Sequence, residues 1–483
     1  MAGGGVGTPN VAPSAAKQWT WVSGSNTVPG QYNGQPGVYG TLGTPSPSNV
    51  PGGRQGSVSW TDLSGNLWLF GGLANTNSGS GDFFNDLWEF NPTNKEWTWV
   101  SGANTADAPG VYGTMGTPAV NNVPGGRNGS VSWTDHNGNL WLFGGDGYDS
   151  TGTLSYLNDL WEFNPTSKEW TWVSGSNIVG GSGVYGTLGT PSPSNIPGSR
   201  MNSVSWTDGS GNLWLFGGSG LDSTDTLGDL NDLWEFNPTT KEWTWVSGSN
   251  IVGPNLGQFG IYGTLGVPSP NNVPGGRFGS VSWTDSSGNF WLFGGVGPCP
   301  VGMPSMLEFN DLWEFNPTNK EWTWVSGSGS GTADAPGIYG TLGVPNPNNV
   351  PGVRWSAVSW IDSSGNLWLS GGETGIYLQS ASPCSPLFSI TAGANAPDDL
   401  WEFNPTNKEW TWMGGDSAMD TNSLNQPGIY GTPGIPAAAN IPGARDSAVS
   451  WTDSSGNLWL FGGQGYDSTG TYGNLNDLWR YQP

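Results

Sequence analysis

The chain has a single histidine in 483 residues, His136, and only two cysteines, Cys299 and Cys384. Thirteen Lys and Arg stand against 37 Asp and Glu, a net charge of −24. Each shortage removes a class of function. One imidazole leaves no Ser-His-Asp set to assemble and no His-rich site for zinc or copper. So few bases argue against a nucleic-acid partner, because phosphate neutralisation needs clustered Lys and Arg, and against an anionic membrane surface for the same reason. No apolar run reaches the length of a transmembrane helix, so membrane insertion is not expected. The stretch Met1–Ala16 is rich in Gly, Ala and Pro, with neither a basic n-region nor an apolar h-region. It reads as a flexible extension and not as a signal peptide. Either the protein is cytosolic or a leader has already been removed.

What is abundant points elsewhere. Gly 81 and Pro 37 would suggest disorder if they were aperiodic, but Trp 31 supplies large buriable surface. The composition is periodic. A block that begins PGGRQGSVSWTDLSGNLWLFGG at Pro51 and continues NDLWEFNPTNKEWTWVSG at Asn85 occurs six times. Its arginine falls at Arg54, Arg127, Arg200, Arg277, Arg354 and Arg445, spaced 73, 73, 77, 77 and 91 residues apart. Each block holds four short strand signals separated by turn signals: GSVSW (strand a), NLWLF (b), DLWEF (c) and WTWV (d). Large residues alternate within them, as at Trp97 and Trp99. Four strands per unit, repeated, predicts an all-β six-bladed β-propeller with four-stranded antiparallel blades. Five Trp per repeat account for 30 of the 31, and the remaining one is Trp355. The segment from Lys17 to Trp21 is a strand d with no a, b or c before it, and Asn476 to Tyr481 is a strand c with no d after it. Together they predict a last blade completed by the N-terminal strand, which removes the open edge. Residues 17–483 then form a single propeller with no second domain, expected to be monomeric.

The double glycine after strand b, the Asn-Asp-Leu-Trp that follows and the spacing to the strand-d Trp resemble kelch repeats. In particular they resemble bacterial kelch proteins related to the central domain of galactose oxidase. The resemblance implies the same propeller fold. It does not carry over the copper chemistry of galactose oxidase, whose histidine ligands this chain lacks, nor a His-containing epimerase site. The repeats here also exceed the usual kelch length of about 50 residues. The excess lies in the d–a connection, typified by GVYGTLGTPSPSNVPGGR, whose tyrosine recurs at Tyr39, Tyr112, Tyr185, Tyr262, Tyr339 and Tyr430. This connection is expected to be ordered and to lie over the blade tops.

Residues at fixed repeat positions are assigned to architecture, which leaves the rest for function. All six Lys precede a strand d, and six of seven Arg begin a strand a. Fifteen of the 37 carboxylates fall outside repeat positions, all in b–c or d–a connections or at the start of strand a. Those connections emerge on one face of a four-stranded meander, which marks that face for binding on a rigid scaffold. The expected function is a non-enzymatic binding scaffold that recognises a protein segment or glycan there. Candidate contacts are Met201, Phe278, Arg354, Trp355 and Asp446, which follow or include the strand-a arginines. A hydrolase, lyase or epimerase using carboxylates at the channel mouth is the alternative from another class. A structural module of a larger cell-surface protein is a third. The loops GDGYDSTGT, GSGLDSTDT and GQGYDSTGT suggest calcium at Asp146, Asp149, Asp222, Asp225 and Asp467. The competing reading is that Asp149, Asp222 and Asp467 cap their own turns. Cys299 and Cys384 lie in the long b–c insertions of adjacent repeats. A disulfide between them would imply an extracellular, periplasmic or cell-surface location.

Overall fold

A computed structural model describes residues 17–75, 81–253, 255–298, 306–329, 335–374, 396–415 and 425–483. Among them every helix is missing, and the strands assemble into six main antiparallel sheets, the architecture of a β-propeller. Sheet one contains Val58–Thr61, Leu67–Asn75, Gly81–Asn91 and Glu96–Ser101, paired in that order. Sheets two to five repeat the pattern around Val131–Thr134, Val204–Thr207, Val281–Thr284 and Val358–Ile361. In the sixth, Val449–Thr452, Leu458–Phe461 and Leu478–Gln482 are joined by Gln18–Ser23 from the other end of the chain. Trp19 opposes Tyr481 and Trp21 opposes Trp479 in that antiparallel pair.

The alternation of strand a decides how the sheets meet. Val58 and Trp60 are buried while Ser59 and Thr61 are half-buried. The apolar side packs on the next sheet: Val58, Trp60, Trp68 and Phe70 meet Leu140, Leu142, Trp161, Phe163 and Trp170 of sheet two. Equivalent clusters follow between every neighbouring pair, including sheets six and one. The polar side reaches the previous sheet. Ser132 Oγ donates to the Ser59 carbonyl, Ser205 to Ser132, Ser282 to Ser205, Ser359 to Ser282, Ser450 to Ser359 and Ser59 to Ser450, at 2.8–3.3 Å. A second cycle joins backbones one turn above: the amides of Gly129, Asn202, Gly279, Ser356, Ser447 and Gly56 each donate to the preceding sheet at 2.7–2.9 Å. All six of these residues sit in the left-handed region, where glycine is the cheapest occupant, and three of them are glycine. Both cycles return to their starting sheet.

One cluster recurs in all six sheets and accounts for most of the repeated residues. In sheet one, Asp86 accepts both arms of the Arg54 guanidinium at 2.6 and 2.9 Å, the Tyr39 hydroxyl at 2.7 Å and the Trp88 indole N–H at 2.7 Å. Arg54 also donates to the Gly52 and Gly71 carbonyls. Strand a, strand b, strand c and the d–a connection are thereby tied to one buried carboxylate. Gly71 must be glycine: it has φ near 64°, and a Cβ there would lie 2.8 Å from the Arg127 carbonyl of the next sheet. Burial, Asp86 and its equivalents hold the six tyrosine hydroxyls un-ionised, well above their ordinary range.

The d–a connection runs differently from expectation. Its middle lies along the outer strand of its own sheet instead of over the blade top: Gly43 N donates to the Trp99 carbonyl and Ser46 N to that of Trp97. Asn49 pins it through a further bond to Trp97. The connection therefore covers the open edge of strand d, which would otherwise present unpaired backbone groups. The opposite face carries short turns. Asp62 caps the a–b turn by accepting from the amides of Ser64 and Asn66 and from the Trp68 indole. Exposed lysines there reach the neighbouring strand-c glutamate, as Lys168 does to Glu89 at 3.2 Å. At the junction of sheets six and one that glutamate is replaced by Arg480, which lies over Trp459.

The two kinds of ion pair differ in consequence. Asp159→Ala leaves the buried Arg127 uncompensated and is expected to cost about 3–5 kcal/mol. Lys168→Ala, which breaks an exposed pair, is expected to cost less than about 1 kcal/mol. Chemical denaturation of the two variants measures the contrast.

Candidate binding site

The axial channel is the first place to look, and its chemistry is already committed. The end nearest the a–b turns is a funnel of about 640 Å³ lined by Ser59, Trp60, Thr61 and their equivalents, with Ile361 in one threonine position. No lining residue is charged. The serine hydroxyls donate around the ring, and each strand-a indole donates to a carbonyl of the next sheet at 2.7–3.2 Å, as Trp60 does to Trp141. The funnel repeats the sheet symmetry and offers no distinct reactive group.

Symmetry breaks at the other end. Beyond the Gly-Gly pair, strands b and c extend past the sheets, and the residue after each arginine bridges to them. Gln55 pairs with Leu73, Phe278 with Val296 and Trp355 with Glu373. Asn128 pairs with Asp146, Met201 with Ser219 and Asp446 with Gln464. On strand c the matching positions are Phe83, Tyr156, Asp229, Glu308 and Asn474. These positions differ in every repeat, and on sheets four to six they gather carboxylates and aromatic rings.

Backbone bonds between sheets place that group. Gly372, just before Glu373, donates to the carbonyl of Arg445, just before Asp446. Arg354, just before Trp355, donates to the carbonyl of Phe309, just after Glu308. The Thr374 hydroxyl donates to Glu308 at 3.4 Å. Glu308, Glu373 and Asp446 are 2%, 6% and 4% exposed. Burial, with Asp446 and Glu308 beside it, pushes Glu373 up to about 9. Burial raises Asp446 to about 7 despite a bond from Ser447. The Trp355 ring stands edge-on to Phe278, centroids 5.9 Å apart, and both are buried.

Buried polar atoms without a partner separate this region from the rest. Most recur by symmetry, such as the indole nitrogens of Trp97, Trp170, Trp243, Trp322 and Trp410. Among the described residues the non-repeating ones are Asn128 Oδ1, Asp229 Oδ2, Trp355 Nε1, Asp446 Oδ2 and Asn474 Oδ1, on the extensions or on the residues that bridge to them. An unpaired buried polar group costs about 1–3 kcal/mol, so such groups gathered at one end need an explanation outside the fold.

The residues expected from sequence fare unevenly. Trp355, Phe278 and Asp446 are brought together with Glu373 and Glu308. Met201 sits half-buried at the equivalent position of sheet three, two sheets from Trp355. Arg354 corrects an expectation: its guanidinium is 1% exposed and fully engaged by Asp399 at 2.5 and 2.7 Å, so it serves the same architecture as the other five. The calcium loops are also corrected. Asp149 accepts from Thr151 N, Thr151 Oγ1, Thr153 N and Val179 N, which occupies both of its oxygens. Asp222 and Asp467 do the same in their loops, the latter reaching Val28. Burial pushes these three carboxyls up, but the hydrogen-bond donors outweigh it and hold them below the ordinary range. Asp225 is exposed and bonded by Ser182, and Asp146 is half-buried, raised by burial to about 6. Among the described residues no three His, Cys, Asp or Glu stand close enough to hold a metal. Cys299 and Cys384 lie outside the described residues. Glu308 and Glu373 belong to the fifteen carboxylates outside repeat positions, but the sequence does not pair them with Trp355 or Asp446. The usable signal was the residue directly after Gly-Gly, where Leu73, Asp146, Ser219, Val296, Glu373 and Gln464 replace one another.

Fold and site together define a propeller-like all-β protein with one asymmetric, acidic and aromatic end. No protein-family model matches the chain. A solved structure titled "Structure of YjhT" is similar to 91% of this chain and 95% of its own, at 14% identity and a TM-score of 0.49.

The raised carboxyls give stability a direction with pH. Glu373 and Asp446 hold protons in the folded protein that they release when unfolded, so stability is full near pH 4 and falls as pH rises towards about 9. Glu373→Gln mimics the protonated form. It is expected to be neutral at pH 4 and to stabilise by at least about 1.4 kcal/mol, the worth of one pH unit, at pH 9. Thermal melts at the two pH values measure this.

Proposed function

We propose that the protein is a six-bladed kelch-type propeller, closed by its N-terminal strand, that binds a protein segment or glycan on its acidic end without transforming it. Two hydrogen-bond cycles that each visit six sheets and return, with Gln18–Ser23 paired to Leu478–Gln482, support the closed ring. The binding reading rests on one observation: among the described residues, the unpartnered buried atoms that do not follow the repeat fall at the end where the sequence varies. A rigid ring that presents variable extensions on one side is a scaffold for recognition. The aromatic pair Phe278–Trp355 supplies the apolar anchor such sites use.

A second reading has its own support. Glu373 and its neighbour Asp446 are both buried, and burial holds both above the ordinary carboxyl range. Two neighbouring carboxyls, one holding a proton while the other gives it up, are the pattern of an acid and base pair. Turnover of a glycoside, uronide or amino-sugar substrate abolished by Glu373→Gln would favour the hydrolase, lyase or epimerase alternative.

Wild type and Trp355→Ala, applied to a glycan array and to an array of short peptides, test the binding reading. The expected result is a restricted set of hits weakened at least tenfold in the variant. Blank arrays, or hits indifferent to the substitution, would count against it.

A further inference from the structure

We propose that the junction of sheets five and six holds a binding site for a small one-ring aromatic molecule with a single short polar substituent, of the benzyl alcohol type. The site shares no residue with the carboxyl cluster of the acidic end, so the inference does not depend on the function proposed above.

The repeat shows what ordinarily fills this place. At five junctions the residue before the Gly-Gly pair is phenylalanine, and its ring packs against the first strand-d tryptophan of the next sheet. Phe70 meets Trp170, Phe143 meets Trp243, Phe216 meets Trp322, Phe293 meets Trp410 and Phe461 meets Trp97, with centroids 5.4–5.6 Å apart. At the sixth junction the residue before Gly-Gly is Ser370, and the tryptophan is Trp19 from the N-terminal strand. The surroundings depart from the repeat at the same place. Met413 stands where other copies have valine, Gly414 where they have serine and Tyr481 where they have phenylalanine.

The outcome is a cavity that solvent reaches. It measures about 240 Å³ and its walls include Trp19, Ser370, Leu400, Met413, Leu460 and Tyr481. Trp19 is 8% exposed where its five counterparts are 1%, Leu400 is 5% where its counterparts are 0%, and Tyr481 is 4% where the five phenylalanines are 0%. Lys17 and Ala438, also on its lining, are exposed and mark its mouth. Walls without a neighbour forfeit dispersion energy, which a well-fitting guest restores. Protein cavities of about 150 Å³ lined by apolar groups take up benzene. Five copies within this chain show the guest that fits against the tryptophan, a single phenyl ring. Ser370 sets a hydroxyl where that ring would be attached, which suits one polar substituent. The unbranched Met413 adapts to the occupant. The volume accommodates one ring and a short substituent, with little left for a peptide backbone.

Fluorine NMR of 4-fluorobenzyl alcohol mixed with the whole protein tests this. The ligand signal should broaden saturably, and benzyl alcohol should reverse the broadening at lower concentration than Nα-acetyl-phenylalaninamide does. The alcohol should also raise the melting temperature, because it binds the folded state alone. Ser370→Phe fills the cavity with the chain's own ring. It should raise the melting temperature of the free protein and weaken binding by about tenfold or more. Ser370→Leu, a smaller filling, should move both quantities the same way by less, and it decides the matter if Ser370→Phe does not fold. Trp355→Ala should leave this binding unaltered, which separates the site from the acidic end. Absence of saturable broadening, or broadening that survives the Ser370 variants, would overturn the proposal. Stronger competition by Nα-acetyl-phenylalaninamide would overturn it too, by giving the cavity to a peptide side chain.

Discussion

Six buried aspartates hold this protein together. Each accepts two bonds from an arginine, one from a tyrosine and one from a tryptophan, and each donor arrives from a different part of the repeat. A charge taken out of water is tolerated only when its bonds are complete. That condition explains the repeat more economically than hydrophobicity does. It requires the arginine at the start of strand a, the double glycine that lets the next sheet's backbone approach, and the Asn-Asp-Leu-Trp of strand c. It also explains why a long connection reaches back with a tyrosine. The same connection then covers the outer strand, so one element completes the ion pair and protects an edge.

Because the arginines and the strand-a indoles are fully engaged, the fold leaves little chemistry free. The channel illustrates this. Its serine hydroxyls and strand-a indoles recur in six copies, yet their donors go to backbone carbonyls of neighbouring sheets. Only where strands b and c outrun the sheets does the repeat relax. There the backbone pairing persists while the side chains change from one repeat to the next, and buried carboxyls gather. Rigid architecture and an unbalanced site coexist because they use different ends of the same strands.

The limits of reading the sequence follow from the same division. Asp149, Asp222 and Asp467 look like ligands in a Gly-rich loop, and a sequence does not reveal that Val179, Val252 and Val28 come back to fill their remaining oxygens. Arg354 stands next to the odd Trp355 and drew attention for that reason, although its own partner, Asp399, lies 45 residues away. Glu308 and Glu373 are among the fifteen carboxylates outside repeat positions, but no spacing pairs them, because one precedes strand c and the other follows Gly-Gly in different repeats. Their proximity arises from neighbouring sheets and not from any spacing along the chain.

By itself the sequence determined the all-β class, the repeated four-strand unit and the residues committed to it, because a periodic pattern reports local geometry and its alternation reports which side is buried. It also confined variation to one end of the strands. The tertiary structure alone decided which variable residues meet. Contacts between successive sheets join positions 66 to 91 residues apart, and whether a carboxylate there finds a donor depends on the backbone and side chains of the next sheet. The acidic cluster exists because three neighbouring sheets bring Glu308, Glu373 and Asp446 to one place.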